Sequence, residues 1–270
     1  MIAEGSAPTF VLSGGGNLGA LQVGMIHVLV ESGAQPEMIV GTSVGAINGA
    51  FLASHPGMSG ILEIIAFWSS LRRRDVLGIR ASALIGGLLS HRGYLFDSAP
   101  MRRILASFVS FTRLEDAPVR LAVVATDLAT SSPAVLESGD VMSALLASCA
   151  VPRILPPVEI DTHVFADGAA SADVPLIEAI LLGARDLYVL PTAPLQVERL
   201  RVRIDTWSAV AELEDVSVRI VTPPRVHVPL GDLRQRPRLI ELGYSHAKSW
   251  MLEGSPSESV ATASDNGRSH

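Results

Sequence analysis

A serine flanked by glycines is the residue of this 270-residue chain best suited to chemistry, in the motif Gly41-Thr42-Ser43-Val44-Gly45. The motif follows an apolar, strand-like run at 37–40 and precedes a helix-like run at 46–53. Glycines permit a sharp strand-to-helix turn that projects a hydroxyl clear of the backbone, and the helix N-terminus favours negative charge there. The pattern predicts a nucleophilic Ser43, the alternative being a glycine-rich turn with an incidental serine.

A second glycine cluster lies upstream, after the strand-like run at 10–13, and reads Gly14-Gly15-Gly16-Asn17-Leu18-Gly19. Its Gly-x-Gly-x-x-Gly spacing is that of a dinucleotide-binding turn, which requires an acidic residue at the end of the next strand. That strand ends at Gly41 and Thr42 instead, and no Gly-Lys-Ser/Thr sequence indicates a nucleotide P-loop. We therefore interpret the cluster as an oxyanion hole of backbone N–H groups, the alternative being a turn that serves only packing.

A serine nucleophile needs a general base, and the sequence offers an aspartate for that role. Asp167 ends a strand-like run and is followed by Gly168 and Ala169. An apolar setting raises the pKa of such a carboxyl and makes it a stronger base, although aspartates at strand ends also form plain turns. None of the seven histidines lies in a segment typical of a catalytic loop: His27, His55, His91, His163, His227, His246 and His270.

These three elements, in this order, resemble the patatin-like phospholipases, which are serine lipid acyl hydrolases with a Ser–Asp dyad. The resemblance runs from Phe10 to Trp250 and includes further matching stretches at 125–128, 147–152 and 187–191. It implies that Ser43 is acylated, that Asp167 is the base of an Asp-Gly-Gly/Ala motif, and that the first glycine cluster is the oxyanion hole. The implied reaction is hydrolysis of the carboxylic esters of lipids.

The chain departs from the family pattern at two positions. Leu18 stands where the family usually has arginine or lysine, and Asp173 stands two residues before Pro175, where the family often has asparagine. The missing charge at Leu18 keeps a second hypothesis open, a catalytically weak lipid-binding or regulatory protein on the same scaffold. A third is an α/β-hydrolase with a Ser–Asp–His triad, whose late histidine would be His227 or His246. Only one strand-like run precedes the serine strand, which disfavours that fold.

Strand-like and helix-like segments alternate along the chain. The alternation predicts an α/β fold, a three-layer αβα sandwich with a mainly parallel central sheet, as in the patatin-like proteins. The predicted strands are 9–13, 38–42, 120–126, 134–136, 163–166, 187–191 and 217–221. The predicted helices are 18–31, 46–54, 60–71, 99–109, 141–148, 174–182, 206–212 and 238–252. We expect one domain over 8–252 and a disordered C-terminal tail over 253–270, where apolar residues are few.

The composition of the chain limits the expected binding partners and the expected cellular location. A net charge of −6 disfavours nucleic acid. The mean hydropathy is +0.37, yet no apolar run is long enough to span a bilayer, and the first residues lack a signal-peptide pattern. A single cysteine, Cys149, excludes an internal disulfide and is expected to be buried. We expect no cofactor, no metal and a cytoplasmic location.

The segment between residues 71 and 98 corresponds, by the resemblance, to part of the cover over the active site. Its three arginines at 72–74 either form a solvated face or attract anionic lipid surfaces, which would give peripheral membrane contact. The leucines and isoleucine that follow at helical spacing either line an acyl channel or pack the core: Leu84, Ile85, Leu88 and Leu89. The expected partner is a lipid or ester substrate; the sequence indicates neither its head group nor the oligomeric state.

Overall fold

The computed structural model describes residues 7–71, 94, 96–208, 216–229, 232–254 and 257–259. The predictions made for the arginines at 72–74 and for the apolar residues at 84–89 lie outside these ranges. No helix in the described part of the chain is both long and apolar enough to cross a membrane.

A nine-stranded sheet forms the centre of the described structure, in the order β5-β6-β3-β2-β1-β7-β8-β9 with β4 also paired to β3. The strands are β1 (Thr9–Leu12), β2 (Met38–Thr42), β3 (Arg120–Asp127), β4 (Ser132–Leu136), β5 (Val158–Ile160), β6 (His163–Asp167), β7 (Asp186–Leu190), β8 (Ser217–Ile220) and β9 (Ser257–Ser259). The five central strands β3, β2, β1, β7 and β8 run parallel, and the remaining pairings are antiparallel.

Helices cover both faces of this sheet. They are α1 (Gly19–Glu31), α2 (Val44–Ser54), α3 (Met58–Ser70), α4 (Ala99–Leu105), α5 (Val141–Ser148), α6 (Leu176–Leu181), α7 (Pro194–Ser208) and α8 (Arg236–Leu252). Phe10 and Leu12 of β1 pack into the core with α1 and α2, whereas Val11 packs into a second core with α6 and α7. Successive side chains of a strand point to opposite faces, so a sheet buried on both faces needs continuous apolar strands such as β1. The predicted three-layer α/β fold is confirmed.

Besides shifts of a few residues at the ends of elements, the structure differs from the predicted elements in three places. Helix α7 begins at Pro194, whereas the sequence predicted a helix only from 206 to 212. Its many charged residues mask the apolar positions, of which Val197 and Leu200 are buried. Strand β5 was not predicted, because three residues carry too little pattern. Strand β9 lies within the tail predicted to be disordered, and it pairs with β8.

Strand β3 brings the ends of two other strands together. Thr42 at the end of β2 pairs with Val124, and Asp167 at the end of β6 pairs with the next residue, Ala125. Because β4 occupies the other edge of β3 along this stretch, β2 and β6 lie on the same edge and meet end to end. The residue that follows Thr42 is therefore placed beside Asp167.

Candidate active site

Ser43 occupies the tight turn between β2 and α2. Its backbone has φ 53° and ψ −123°, a strained conformation for a residue other than glycine. The neighbouring glycines are required by close approach, since a Cβ on Gly45 would lie 2.3 Å from the Leu12 carbonyl oxygen and one on Gly41 would lie 2.6 Å from the Ala46 backbone. The turn thus has the strand–turn–helix form that the sequence predicts, and the serine hydroxyl projects from it.

Hydrogen bonds hold the strained turn in place. The Ser43 N–H donates to Ser148 Oγ at 2.7 Å, and the Ser148 hydroxyl donates to the Val124 carbonyl at 2.6 Å. The Ser43 carbonyl accepts from the N–H of Ala46 at 2.9 Å. Ser148 therefore ties the serine turn to β3, the strand that also positions Asp167.

The structure brings Ser43 and Asp167 into direct contact. Ser43 Oγ donates to Asp167 Oδ2 at 2.8 Å, and the two residues are only 9% and 4% exposed. The other carboxylate oxygen, Oδ1, accepts from the Ala169 N–H at 2.9 Å. The Asp167 backbone is also fixed, because its N–H donates to the Ala150 carbonyl and its carbonyl accepts from the Thr126 hydroxyl. The carboxylate is thus held with one oxygen aimed at the serine.

Burial controls the acidity of the site. Desolvation raises the pKa of Asp167 from its usual 3.8 to about 6, while hydrogen bonds from Ala169 and Ser43 oppose the rise and the charge of Asp173 adds to it. Cys149 lies nearby and is 4% exposed, as predicted. Burial, with the Asp167 charge, raises the pKa of its thiol, so it stays protonated and unreactive.

No histidine within the described residues hydrogen-bonds to Ser43 or Asp167. His163 instead pairs with Asp127 at 2.8 Å, and His27 packs against Tyr244. His91 and His270 fall outside the described ranges. The described part of the chain thus offers a serine–carboxylate pair rather than a triad, and it holds no cluster of three or more side chains suited to a metal.

The glycine cluster follows β1 and lies against the serine turn. A Cβ built on Gly14 would lie 3.6 Å from the Cβ of Ser43. The Gly14 N–H donates to the Asp173 carbonyl at 3.0 Å, so within the predicted oxyanion loop this donor is already engaged by the protein. The N–H groups of Gly15 and Gly16 donate to no carbonyl of the described backbone, and Gly16 is exposed.

The rest of the cluster has structural contacts. Asn17 is buried, and its Nδ2 donates to the Pro229 and Asp232 carbonyls at 3.0 and 3.2 Å. Leu18 is half-buried against the core. Gly19 begins α1 where a Cβ would meet Val44 at 2.3 Å. Asn17 therefore anchors the loop to the chain before α8, and Gly19 lets α1 approach α2.

Two residues that sequence reasoning missed hold the Gly14 carbonyl. The Thr192 hydroxyl donates to it at 2.7 Å and Gln196 Nε2 at 3.0 Å. Gln196 Nε2 also donates to Asp173 Oδ1 at 2.9 Å, and its Oε1 accepts from the N–H of Thr192 at 2.7 Å. Gln196 lies on α7, in a part of the chain for which the sequence predicted no helix, so its contacts with Gly14 and Asp173 were not anticipated. Ser148 lies in the stretch 147–152 that resembles the family, but no sequence pattern indicates its contact with Ser43.

The sheet, the strained turn and the buried pair define an α/β protein with a serine–carboxylate site at the end of a parallel strand. A model of the patatin-like phospholipases matches residues 10–180. The chain belongs to the patatin-like phospholipase family.

Relatives and a solved structure agree with this assignment. A patatin-like phospholipase domain-containing protein of Caenorhabditis elegans is 28% identical over 83% of this chain and 16% of its own length. An uncharacterized NTE family protein of Mycobacterium tuberculosis is 28% identical over 61% of this chain and 43% of its own. The crystal structure of VipD from Legionella pneumophila superposes with a TM-score of 0.50 at 14% identity, over 94% of this chain and 68% of VipD, which shows the fold. The chain thus spans less than half the length of these two sequence relatives.

Proposed function

We propose that the protein is a serine lipid acyl hydrolase that cleaves carboxylic esters through a Ser43–Asp167 dyad. The observation that carries the proposal is the 2.8 Å hydrogen bond from Ser43 Oγ to the buried Asp167 carboxylate. A hydroxyl on a strained turn, paired with a base whose pKa is raised toward neutrality, is the arrangement that nucleophilic catalysis needs. The family supplies the class of substrate, a lipid ester, which implies contact with membrane or micelle surfaces.

The proposed reaction has two halves. Asp167 takes the Ser43 proton as Oγ attacks the ester carbonyl carbon, and the carbonyl oxygen becomes an oxyanion beside the N–H groups of Gly15 and Gly16. The proton then passes from Asp167 to the departing alcohol oxygen, which leaves the acyl group on Ser43. A water molecule attacks this ester while Asp167 takes its proton, the carboxylic acid is released, and Ser43 regains its hydrogen.

The glycine loop supplies the proposed oxyanion donors. The Gly14 carbonyl and the Gly15 N–H belong to one peptide plane and point in opposite directions. Thr192 and Gln196 hold the carbonyl on one side, so the Gly15 N–H is directed to the other without a backbone acceptor among the described residues. Removing one oxyanion donor from an acyl hydrolase lowers the rate by a factor on the order of 10²–10³. Fixing the orientation of the peptide between Gly14 and Gly15 should therefore raise the rate substantially.

The test compares Ser43→Ala and Asp167→Asn with wild type in hydrolysis of nitrophenyl and lipid esters. We expect either substitution to lower kcat by on the order of 10⁴ with the circular dichroism spectrum unchanged. Matched controls are Ser59→Ala and Asp116→Asn, which lie on the exposed surface and should keep wild-type rates. A fluorophosphonate should label wild type at Ser43 stoichiometrically. Full activity of either dyad variant would refute the dyad, and absence of labelling would favour a lipid-binding protein.

A further inference from the structure

One three-residue segment, at 148–150, accepts the backbone N–H groups of both Ser43 and Asp167. The Ser148 hydroxyl accepts from Ser43 at 2.7 Å, and the Ala150 carbonyl accepts from Asp167 at 3.0 Å. The segment starts at the last residue of α5, and the N–H groups of Cys149 and Ala150 continue the hydrogen bonding of that helix. The end of one helix thus contacts both halves of the proposed dyad.

Ser148 is the side chain through which this segment acts on Ser43. Its oxygen accepts the Ser43 N–H, and its hydrogen is donated to the Val124 carbonyl at 2.6 Å. The residue is fully buried, so water cannot take over either bond. Alanine in its place would leave the buried N–H of Ser43 without this acceptor.

The Ser43 turn depends on such contacts because its backbone is strained. A residue with a side chain keeps φ 53° and ψ −123° only where the surrounding structure opposes relaxation. The Ser43 carbonyl is held from within the turn, by the N–H groups of Ala46 and Ile47, whereas its N–H is held by Ser148 from another element. Relaxation of the backbone would turn the Cβ and carry Oγ away from Asp167.

We propose that Ser148 is a positioning residue of the dyad, whose hydroxyl keeps Ser43 in the strained conformation that directs Oγ at the Asp167 carboxylate. This inference rests on the proposed function and adds to it a residue that touches no reacting atom. A displacement of about 1 Å at a reacting group can lower a rate by about 10². Loss of the Ser148 hydroxyl should therefore slow the attack by Ser43 and leave substrate binding unchanged.

The kinetic test uses Ser148→Ala, with Ser143→Ala as the matched control. Ser143 lies on the same helix and its hydroxyl donates to Asp140 at 2.6 Å, so each variant loses one hydrogen-bonded hydroxyl. On a nitrophenyl ester, Ser148→Ala should lower kcat by roughly 10- to 100-fold with KM nearly unchanged, and slow fluorophosphonate labelling in parallel. Ser143→Ala should keep the wild-type values. Wild-type kcat in Ser148→Ala, or equal losses in both variants, would overturn the inference.

The pH profile separates positioning from a general loss of stability. The hydrogen bond from Ser43 lowers the pKa of Asp167, so moving the hydroxyl away should raise that pKa and shift the acidic limb of kcat/KM to higher pH. A less stable protein with an intact dyad would keep the wild-type limb, and that result would contradict the proposal. Ser148→Cys has a weaker acceptor in a similar shape and should give smaller effects of the same sign. It carries the same test if Ser148→Ala does not fold.

A crystal structure of Ser148→Ala tests the geometry without any activity. Ser43 should leave its positive φ, and the separation between Ser43 Oγ and Asp167 Oδ2 should exceed hydrogen-bonding distance. An unchanged separation would overturn the inference even if the rate fell. If wild type hydrolyses no ester and takes up no fluorophosphonate, the proposed function fails, whereas the crystal structure still decides whether Ser148 positions Ser43.

Discussion

The fold makes the Asp167 carboxylate more basic than a solvated aspartate, and burying its charge costs folding free energy. Burial removes it from water, and two hydrogen bonds restore only part of its lost solvation. Its pKa of about 6 leaves it ionised at neutral pH yet far readier to accept a proton than a solvated aspartate. The same desolvation therefore affects both the strength of the proposed base and the stability of the protein.

The first prediction at this scale concerns the pH profile. In the proposed reaction Asp167 acts as a base only when it is ionised, so kcat/KM should fall tenfold per pH unit below about pH 6. Asp173 contributes to the raised pKa of Asp167 after desolvation. Asp173→Asn should keep the backbone carbonyl that accepts from Gly14 and should shift the acidic limb to lower pH, because it removes a negative charge. Asp116→Asn is the control, and an unshifted limb in Asp173→Asn would contradict the electrostatic coupling.

The second prediction concerns stability. Because folding raises the pKa of Asp167 above its usual 3.8, the protonated aspartate is fully accommodated below about pH 4, and stability is lost as the pH rises through about 6. Asp167→Asn carries no charge to bury. It should therefore be more stable than wild type at pH 8, by up to about 3 kcal/mol, with the difference vanishing at pH 4. Urea denaturation at both pH values measures this. A variant less stable than wild type at pH 8 would show that the carboxylate is net stabilising.

At the scale of elements, α7 reaches back to the glycine loop through one side chain. Gln196 is buried and bridges the Gly14 carbonyl, the Asp173 carboxylate and the backbone after β7. It touches no reacting atom in the proposed reaction. Its proposed role is to position the peptide plane whose N–H belongs to Gly15.

Replacing Gln196 should therefore affect turnover more than binding. Gln196→Leu removes the donors and acceptors at similar size, and we expect kcat to fall by roughly 10- to 100-fold, part of the value of one oxyanion donor, with KM nearly unchanged. Labelling by a fluorophosphonate should slow in parallel, and Gln196→Glu should not restore the rate because it lacks the donor to Gly14. The control is the exposed Gln35→Leu. A rise in KM at constant kcat would assign Gln196 to substrate binding instead.

The same elements show how far sequence reasoning reaches. The turns around Ser43 and Asp167 could be predicted from the sequence, because glycines directly after a strand-like run indicate a tight turn through local backbone geometry. The engagement of the Gly14 N–H by Asp173 was not, since it depends on a contact between residues 159 positions apart in sequence. Gln196 and Thr192 were hidden for the same reason. Polar side chains that support a site leave no periodic pattern, and their partners are chosen by tertiary packing.

At the scale of the whole molecule, α1 and α8 pack closely on one face of the sheet. Glycines allow this approach, since a Cβ on Gly243 would lie 2.0 Å from the Leu21 carbonyl oxygen and one on Gly24 would lie 2.0 Å from the Ile240 carbonyl oxygen. Helix α1 begins directly after the glycine loop, so its packing against α8 also helps to fix the position of that loop. The contact involves backbone atoms that cannot move without displacing a helix.

Substitution at this contact should lower stability without touching the chemistry. Gly243→Ala should reduce the free energy of unfolding by about 1–3 kcal/mol, the usual cost of an inserted methyl group in a packed interior. The specific activity of the folded protein should remain at the wild-type value at 20 °C. The control is Ser245→Ala, which lies on the exposed side of α8. An unchanged melting temperature for Gly243→Ala would mean that the two helices separate at little cost.

Strands β2 and β6 meet end to end along one edge of β3. The distance between Ser43 and Asp167 therefore depends on the register of each strand against β3. Strands β2 and β6 run in opposite directions along β3, and each ends opposite one of two adjacent residues of β3. A slip of β6 by two residues along β3 would carry Asp167 roughly 7 Å away while leaving every side chain on its own face of the sheet. Such a molecule would keep its helices and most of its core yet lack the pair. The specific activity of a refolded preparation would then measure the fraction of chains in which β6 has the correct register on β3. Circular dichroism would not detect this difference.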